Sequence, residues 1–136
     1  METLVRYGLQ VQKLYEAYQQ GDIPTILSSL NNDVIWEVMG EPDVPFAGIY
    51  HGPKDVGMFF QKLNDHVQPV DFAVEHILEN EHIVIATGRM NATGRKTGRH
   101  FSTLWSMIWE FNDDDRVVHF RDCFDTLAFS RGLSGK

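Results

Sequence analysis

A carboxyl group lies between two phenylalanines near the end of the chain, in the segment HFRDCFDTLAF (residues 119–129). If residues 117–124 form a β-strand, the alternation of side chains puts Phe120, Asp122 and Phe124 on one face. A carboxylate among apolar side chains loses its hydration, so it needs a partner, a raised pKa or a chemical task. Asp122 is therefore the first candidate for acid–base chemistry.

The other residue types that often carry chemistry form weaker patterns. The six histidines show no paired ligand spacing such as His-x-x-x-His, and the single cysteine, Cys123, cannot build a structural zinc site. The turn Asp113–Asp115 lacks the glycine and terminal glutamate of a calcium loop. A nucleophilic role for Cys123 would need a histidine base, and alternation puts Cys123 on the face opposite Asp122. The sequence therefore predicts neither a metal nor a cofactor.

Composition narrows the classes of partner. The chain has 136 residues, of which 43% are hydrophobic and 23% charged, as expected for one globular domain. The net charge of −7 argues against a nucleic-acid surface, and the short basic run 95–100 is interpreted as a hairpin tip. No apolar run approaches 18 residues, and residues 1–21 do not resemble a signal peptide. We therefore expect a soluble, cytoplasmic protein that does not bind membranes.

Hydrophobic periodicity predicts the elements that position Asp122. Spacings of three and four residues indicate a helix over roughly 3–20, a short helix capped by Asp22, and a third helix opened by Gly52-Pro53. Residues 130–136 are small and polar and are expected to be frayed. Strands are predicted at Val34–Met39, Val70–Leu78, Ile83–Thr93, Phe101–Phe111 and Val117–Phe124. This order predicts an α+β fold with three N-terminal helices on one face of a curved, mostly antiparallel sheet.

Several segments resemble one known family. The opening Tyr18–Ile23 with Asn32–Glu37, the proline-glycine loop Val44–Gly52 and the closing Phe120–Thr126 are similar to the NTF2-like superfamily, especially its SnoaL-like and ketosteroid-isomerase-related branch. The resemblance implies a cone-shaped single domain over residues 1–129, with an apolar pocket between the helices and the concave sheet. It also implies a homodimer formed through the outer face of the sheet.

Two enzyme types in this superfamily are matched in part. Ketosteroid isomerases carry a general-base aspartate directly after the acidic residue of the first strand, but here Val38 follows Glu37. Polyketide cyclases of the SnoaL type use one aspartate on the last strands with a histidine nearby. Asp122 matches the aspartate, and His76 is the better candidate for an inward histidine. The resemblance therefore favours a single-acid enzyme over a steroid isomerase.

Limonene-epoxide-hydrolase-like enzymes provide a third comparison, because their closing strand resembles residues 121–125. Their Asp–Arg–Asp set would correspond to Asp122, Arg89 and Asn91, so the second acid is replaced by an amide. The resemblance implies a hydrogen-bonded cluster of these three residues. Because an amide cannot exchange a proton as a carboxylate does, half of an acid–base pair is lost.

We expect the pocket to bind a small apolar or aromatic molecule by burial and stacking. Proton transfer at carbon by Asp122 would make the protein an isomerase, cyclase or lyase. In this reading Arg89 orients Asp122 or an oxyanion, and Asn91 donates a hydrogen bond. A non-catalytic ligand-binding or dimeric interaction module and a hydrolase with an altered triad remain alternatives. The predicted ligand contacts are Tyr15, Tyr18, Trp36, Tyr50, Phe59, His76, Trp105 and Phe120.

Overall fold

The computed structural model describes residues 4–135 and confirms the α+β class. The elements in chain order are α1 (Tyr7–Gln19), α2 (Ile23–Ser28), β1 (Leu30–Val38), β2 (Gly48–His51), α3 (Gly52–His66), β3 (Val67–Asn80), β4 (Ile83–Gly94), β5 (His100–Phe111), β6 (Val117–Phe124) and α4 (Thr126–Ser134). Strand β1 begins at Leu30 rather than at the predicted Val34, and β2 lies in a segment that was predicted to be a loop. No helix within residues 4–135 is long and apolar enough to cross a membrane.

The strands form one six-stranded sheet in the order β2-β1-β6-β5-β4-β3. Four of its five strand pairs are antiparallel, and β1 runs parallel to β6. This parallel pair places Trp36 beside Phe120 and Val38 beside Asp122. The early strand β1 is therefore joined to the last strand, and Asp122 lies on β6, one of the two central strands of the sheet.

The helix α1 is held against the sheet by a carboxylate from a distant strand. The side chain of its N-cap residue, Arg6, makes no capping hydrogen bond. Instead, Glu79 of β3 accepts hydrogen bonds from the backbone N–H groups of Val5 at 3.0 Å, Tyr7 at 3.1 Å and Gly8 at 3.0 Å. A negative charge at the positive end of the helix dipole is favourable, so Glu79 fixes the direction in which α1 crosses the sheet.

An irregularity in β3 changes which of its side chains face inward. The pairing of β3 with β4 shifts register between Val74 and His76, as it does at a β-bulge. As a result Ile77 is buried, whereas His76 and Leu78 are exposed. The alternation that put His76 on the inner face with Val74 is therefore interrupted one residue before His76.

The expected frayed tail is wrong over residues 130–134, because these residues belong to α4. The Asp125 side chain caps this helix by accepting a hydrogen bond from the Ala128 N–H at 3.0 Å. The Asp125 N–H itself donates to the Thr103 hydroxyl at 2.8 Å, which ties the start of α4 to β5. Phe129 and Leu133 are buried, so the helix packs its apolar side onto the sheet. Lys136 lies outside the described residues.

Candidate active site

A narrow cavity lies between the helices and the inner face of the sheet. Its volume is about 80 Å³, and its wall is almost entirely apolar. Pockets that bury drug-sized ligands measure ~300–1,000 Å³, whereas an engineered apolar cavity of ~150 Å³ accepts benzene. The cavity is thus smaller than one that accepts benzene, so even a ligand with a single ring has to displace side chains of the wall.

Asp122 lies at the centre of the inner face of the sheet. It pairs with Val38 on one neighbouring strand and with Met107 on the other. Val38 is the position directly after Glu37, where the ketosteroid isomerase pattern would put its base. The inner face therefore presents a carboxyl group one strand away from that position.

The Asp122 carboxyl group is poorly solvated. The residue as a whole is half-buried at the cavity wall, but its Oδ1 is covered and has no hydrogen-bond partner among residues 4–135. Burial raises the pKa of Asp122 to about 7. A carboxyl group with this pKa exists in both protonation states near neutral pH, so it can accept a proton and return it.

Two tyrosines near Asp122 keep their protons. The Trp109 indole N–H donates to the Tyr15 hydroxyl at 3.0 Å, and this hydroxyl donates to the Met107 sulfur at 3.1 Å. Burial raises the pKa of Tyr15 far above its ordinary value, the hydrogen bond from Trp109 lowers it, and the charge of Asp122 raises it further. Burial, followed by the charge of Asp122, raises the pKa of Tyr18 to about 12. Asp122 is therefore the group in this set that titrates near neutrality.

Two indole N–H groups in the cavity wall have no acceptor among residues 4–135. Trp36 and Trp105 are 2% and 4% exposed, and their Nε1 atoms find no hydrogen-bond partner in the described part of the chain. Both rings are fixed by stacking: Trp36 on Phe120 with centroids 3.7 Å apart, and Trp105 on Phe72 with centroids 4.9 Å apart. A Cβ at Gly88 would lie 2.4 Å from the Trp105 ring, so the glycine leaves the space that this indole occupies.

The model of the SnoaL-like domain matches residues 11–120. The chain belongs to the SnoaL-like family. Its fold is that of NTF2-like proteins, which confirms the architecture predicted from the opening and closing segments. A comparison with functionally curated proteins finds no match.

Solved structures support the fold of this SnoaL-like protein over nearly its whole length. An NTF2-like protein of unknown function from Burkholderia pseudomallei is 26% identical, with a TM-score of 0.87 over 96% of this chain and 99% of the other. A putative SnoaL-like polyketide cyclase from Shewanella denitrificans is 19% identical, with a TM-score of 0.73 over 95% and 98%. An LEH-like epoxide hydrolase from M. tuberculosis is 17% identical, with a TM-score of 0.70 over 95% and 90%.

Most of the ligand contacts predicted from the sequence border the cavity. Tyr50 does not: it is buried, and its hydroxyl donates to the Phe46 carbonyl at 2.8 Å. His76 is also outside, in a surface groove between α1 and β3, because the bulge turns it outward. The predicted residues that do line the cavity are Tyr15, Tyr18, Trp36, Phe59, Trp105, Phe120 and Asp122.

Arg89 and Asn91 do not meet Asp122. Both project from the outer face of β4, where the Arg89 Nε donates to Glu75 at 3.0 Å and the Asn91 amide donates to Asp71 at 2.9 Å. The predicted cluster of three residues is therefore not formed. The sequence contained a signal for this arrangement, because the alternate residues of β4 that face inward are all apolar or glycine. They are Val84, Ala86, Gly88, Met90 and Ala92.

The outer face carries its own charged cluster at the centre of the sheet. Glu37 accepts from the His119 Nε2 at 2.6 Å and from the Arg121 Nε at 3.1 Å. These hydrogen bonds hold the pKa of Glu37 below its ordinary value, and the bond from His119 makes the larger contribution. Glu37 is thus a paired surface acid, and Asp122 is the acid of the cavity. Within residues 4–135, no group of three or more His, Cys, Asp or Glu side chains is arranged to hold a metal ion.

Proposed function

We propose that this SnoaL-like protein binds a small, neutral, largely apolar molecule and catalyses proton transfer at carbon without a cofactor. Asp122 would be its general acid–base. One observation carries the proposal: Asp122 is the one carboxyl group among the described residues of the cavity wall, and its Oδ1 is covered and unpaired. A pKa of about 7 supports this role, because a catalytic acid–base works best when its pKa is close to the working pH.

The proposed step needs no other reactant. The Asp122 carboxylate removes a proton from a carbon next to a carbonyl group, the C–H electron pair becomes a C=C bond, and the carbonyl π electrons move to the oxygen. The protonated Asp122 then returns its proton. Return to a different carbon is an isomerisation, attack of the enolate on a second carbonyl is an aldol closure, and loss of a β-substituent is a lyase reaction.

The position of Arg89 and Asn91 favours proton transfer over epoxide hydrolysis. A hydrolase of the limonene-epoxide-hydrolase type would need an arginine and a second acid beside Asp122. Arg89 pairs with Glu75 outside the cavity, and Asn91 pairs with Asp71. The similarity to an epoxide hydrolase and to a putative cyclase, at 17% and 19% identity, shows the fold only.

A non-catalytic ligand carrier is the second candidate, favoured by the nearly complete apolar lining of the cavity. In that case burial and stacking of the ligand supply the affinity, and Asp122 is a polar contact. The two candidates differ in one respect: only the enzyme exchanges hydrogen at a ligand carbon.

Hydrogen exchange in deuterium oxide tests the proposal without knowledge of the natural substrate. Cyclohexanone and the cyclohexanedione with opposed carbonyl groups are small, neutral and enolisable, so deuterium uptake next to their carbonyl groups reports proton transfer at carbon. We expect uptake with the wild type and its loss in Asp122→Asn. Glu37→Gln, which removes an acid from the outer face, is the matched control and should exchange as the wild type does. Undiminished uptake in a folded Asp122→Asn protein would exclude Asp122 as the base.

We also propose that the protein forms a homodimer through the outer face of the sheet. This face exposes apolar side chains, including Leu104 at 66% and Ile85 at 40%, next to the half-buried Ile108. Coverage of such a face by a second copy would remove apolar surface from water. Light scattering should report a dimer that Leu104→Glu converts to monomer, while a monomeric wild type would contradict the proposal.

A further inference from the structure

Within residues 4–135, three covered polar side-chain atoms have no hydrogen-bond partner, and all three belong to one cavity wall: Nε1 of Trp36, Oδ1 of Asp122 and Nε1 of Trp105. We propose that the two indole N–H groups are the hydrogen-bond donors for ligand oxygen atoms, one on each side of Asp122. For the reacting carbon, this assignment rests on the proposed function. It adds that the ligand must carry oxygen atoms that accept hydrogen bonds.

The strand register puts the three residues on one diagonal of the inner face. Trp36 pairs with Phe120, so it lies one strand from Asp122 and two residues toward the start of β6. Trp105 pairs with Phe124, one strand away on the other side and two residues toward the end of β6. Diagonal neighbours of this kind have Cα atoms ~7–8 Å apart, within reach of a long side chain. The acid therefore lies between the two donors.

An unpaired buried N–H group has lost its hydration without gaining a protein partner, and folded proteins normally avoid this cost. Here the rings cannot easily turn to find another acceptor, because Trp36 is stacked on Phe120 and Trp105 on Phe72. The Trp105 ring lies so close to Gly88 that the Cβ of any other residue there would clash with it. The fold therefore holds both donors in place, at a cost that a ligand oxygen would remove.

The remaining polar groups of the wall define the ligand further. The third indole N–H, that of Trp109, already donates to the Tyr15 hydroxyl, so it is not available to a ligand. The described lining residues include no lysine, arginine or histidine, and Asp122 would repel an anion. The ligand class is thus a neutral, mainly apolar compound with acceptor oxygens, such as carbonyl groups, on both sides of the carbon that Asp122 deprotonates.

The donors are covered in the structure, so a ligand must push apart the narrow wall to reach them. Because the proposed donors need acceptors, binding should depend on the oxygen atoms of the ligand and not only on its ring size. Cyclohexane, cyclohexanone and the cyclohexanedione with opposed carbonyl groups form a matched probe series, because they share one ring and carry zero, one and two acceptors.

Nitrogen–proton correlation spectra of the indole groups give a direct measurement, because the chain has three tryptophans. We expect the dione to shift the cross-peaks of both Trp36 and Trp105, and cyclohexane to shift neither toward the hydrogen-bonded position. The cross-peak of Trp109, which is already hydrogen-bonded, is the internal control. Equal responses of all three indoles to all three probes would overturn the inference.

Trp36→Phe and Trp105→Phe each keep an aromatic ring and remove one donor. Each should weaken dione binding about fivefold to tenfold, the value of one neutral hydrogen bond, and leave cyclohexane binding within about twofold. An equal loss for all probes would mean that the indoles only pack. Oxygen-dependent binding without wild-type exchange would refute the proposed function alone, and exchange without oxygen-dependent binding would refute this inference alone.

Discussion

Replacing Asp122 by asparagine should stabilise the protein in a pH-dependent way. Asparagine has nearly the same shape and cannot ionise, so the substitution removes the cost of a carboxylate in an apolar wall. The effect follows from burial, which raises the pKa of Asp122 from its ordinary 3.8 to about 7. Between these two pH values the unfolded chain has released this proton, while the folded chain retains it.

The magnitude follows from the pKa difference. A raised pKa in the folded state gives stability that is fully present below pH 3.8 and is lost as the pH rises to about 7. The loss is about 1.4 kcal/mol for each pH unit, so the wild type gives up about 4 kcal/mol over this interval. Asp122→Asn does not lose this contribution. Any constant effect of the amide group is the same at every pH and cancels from the slope.

Urea unfolding at a series of pH values from about 4 to 8 measures this difference. The free energy of unfolding of Asp122→Asn, relative to the wild type, should rise by about 4 kcal/mol across the series and then level off. Asp43→Asn changes an exposed acid in the loop before β2 and is the matched control, for which we expect no such rise.

Two outcomes would refute the reasoning. A difference that stays constant with pH would mean that the Asp122 carboxylate is as well solvated in the folded protein as in the unfolded chain. A difference that falls as the pH rises would mean that a cation stabilises the carboxylate. Either result would also remove the support that the raised pKa gives to the role of Asp122 as acid–base.

Three further substitutions test other parts of the structure. Gly88→Ala should cost at least about 2–3 kcal/mol in urea unfolding, since its Cβ would lie 2.0 Å from the Ala73 carbonyl oxygen and 2.4 Å from the Trp105 ring. Gly57→Ala in α3, whose nearest contact would be 3.5 Å away, is its control and should gain up to about 1 kcal/mol; equal effects would refute the crowding at Gly88. Glu79→Gln should cost about 1 kcal/mol at neutral pH, because Glu79 accepts from the N-terminus of α1. Partial burial raises the pKa of Glu79, but its backbone hydrogen bonds lower it more, so the pKa in the folded protein is below its ordinary value. The stabilisation by Glu79 is therefore present above the pKa of the unfolded chain and disappears as the pH falls through the pKa of the folded protein. A destabilisation by Glu79→Gln that persists in acid would contradict this account. Arg89→Met should leave deuterium uptake by the ketones unchanged, and a large decrease would restore Arg89 to the site.

Alternation grouped side chains correctly where a strand is regular. In β6 it put Phe120, Asp122 and Phe124 on one face, and the structure has all three on the cavity wall. In β3 the same rule failed for His76, because a bulge inserts a residue and reverses the faces beyond it. No residue type in that segment marks the bulge, since both Glu75 and His76 are polar.

The misplacement of Arg89 has a different cause. Alternation correctly put Arg89 and Asn91 on one face, but the choice of the inner face came from the resemblance to a hydrolase. The apolar set from Val84 to Ala92 would have assigned the opposite face from physical chemistry alone. The helix α4 was missed because Gly132 and two serines dilute its pattern, although Phe129 and Leu133 have helical spacing.

The parallel pairing of β1 with β6 has a consequence for folding. It joins residues far apart in the chain, since Arg121 contacts Glu37 across 84 positions. Closing so long a loop is entropically costly, and contacts of this kind form slowly. Before that closure, Asp122 is a solvated acid of ordinary pKa. We therefore expect the acid–base character of this site to be acquired late in folding, and ionisation of Asp122 to influence the unfolding rate more than the folding rate. Stopped-flow kinetics of Asp122→Asn at low and high pH would measure this division, and an effect confined to the folding rate would show that the site forms early.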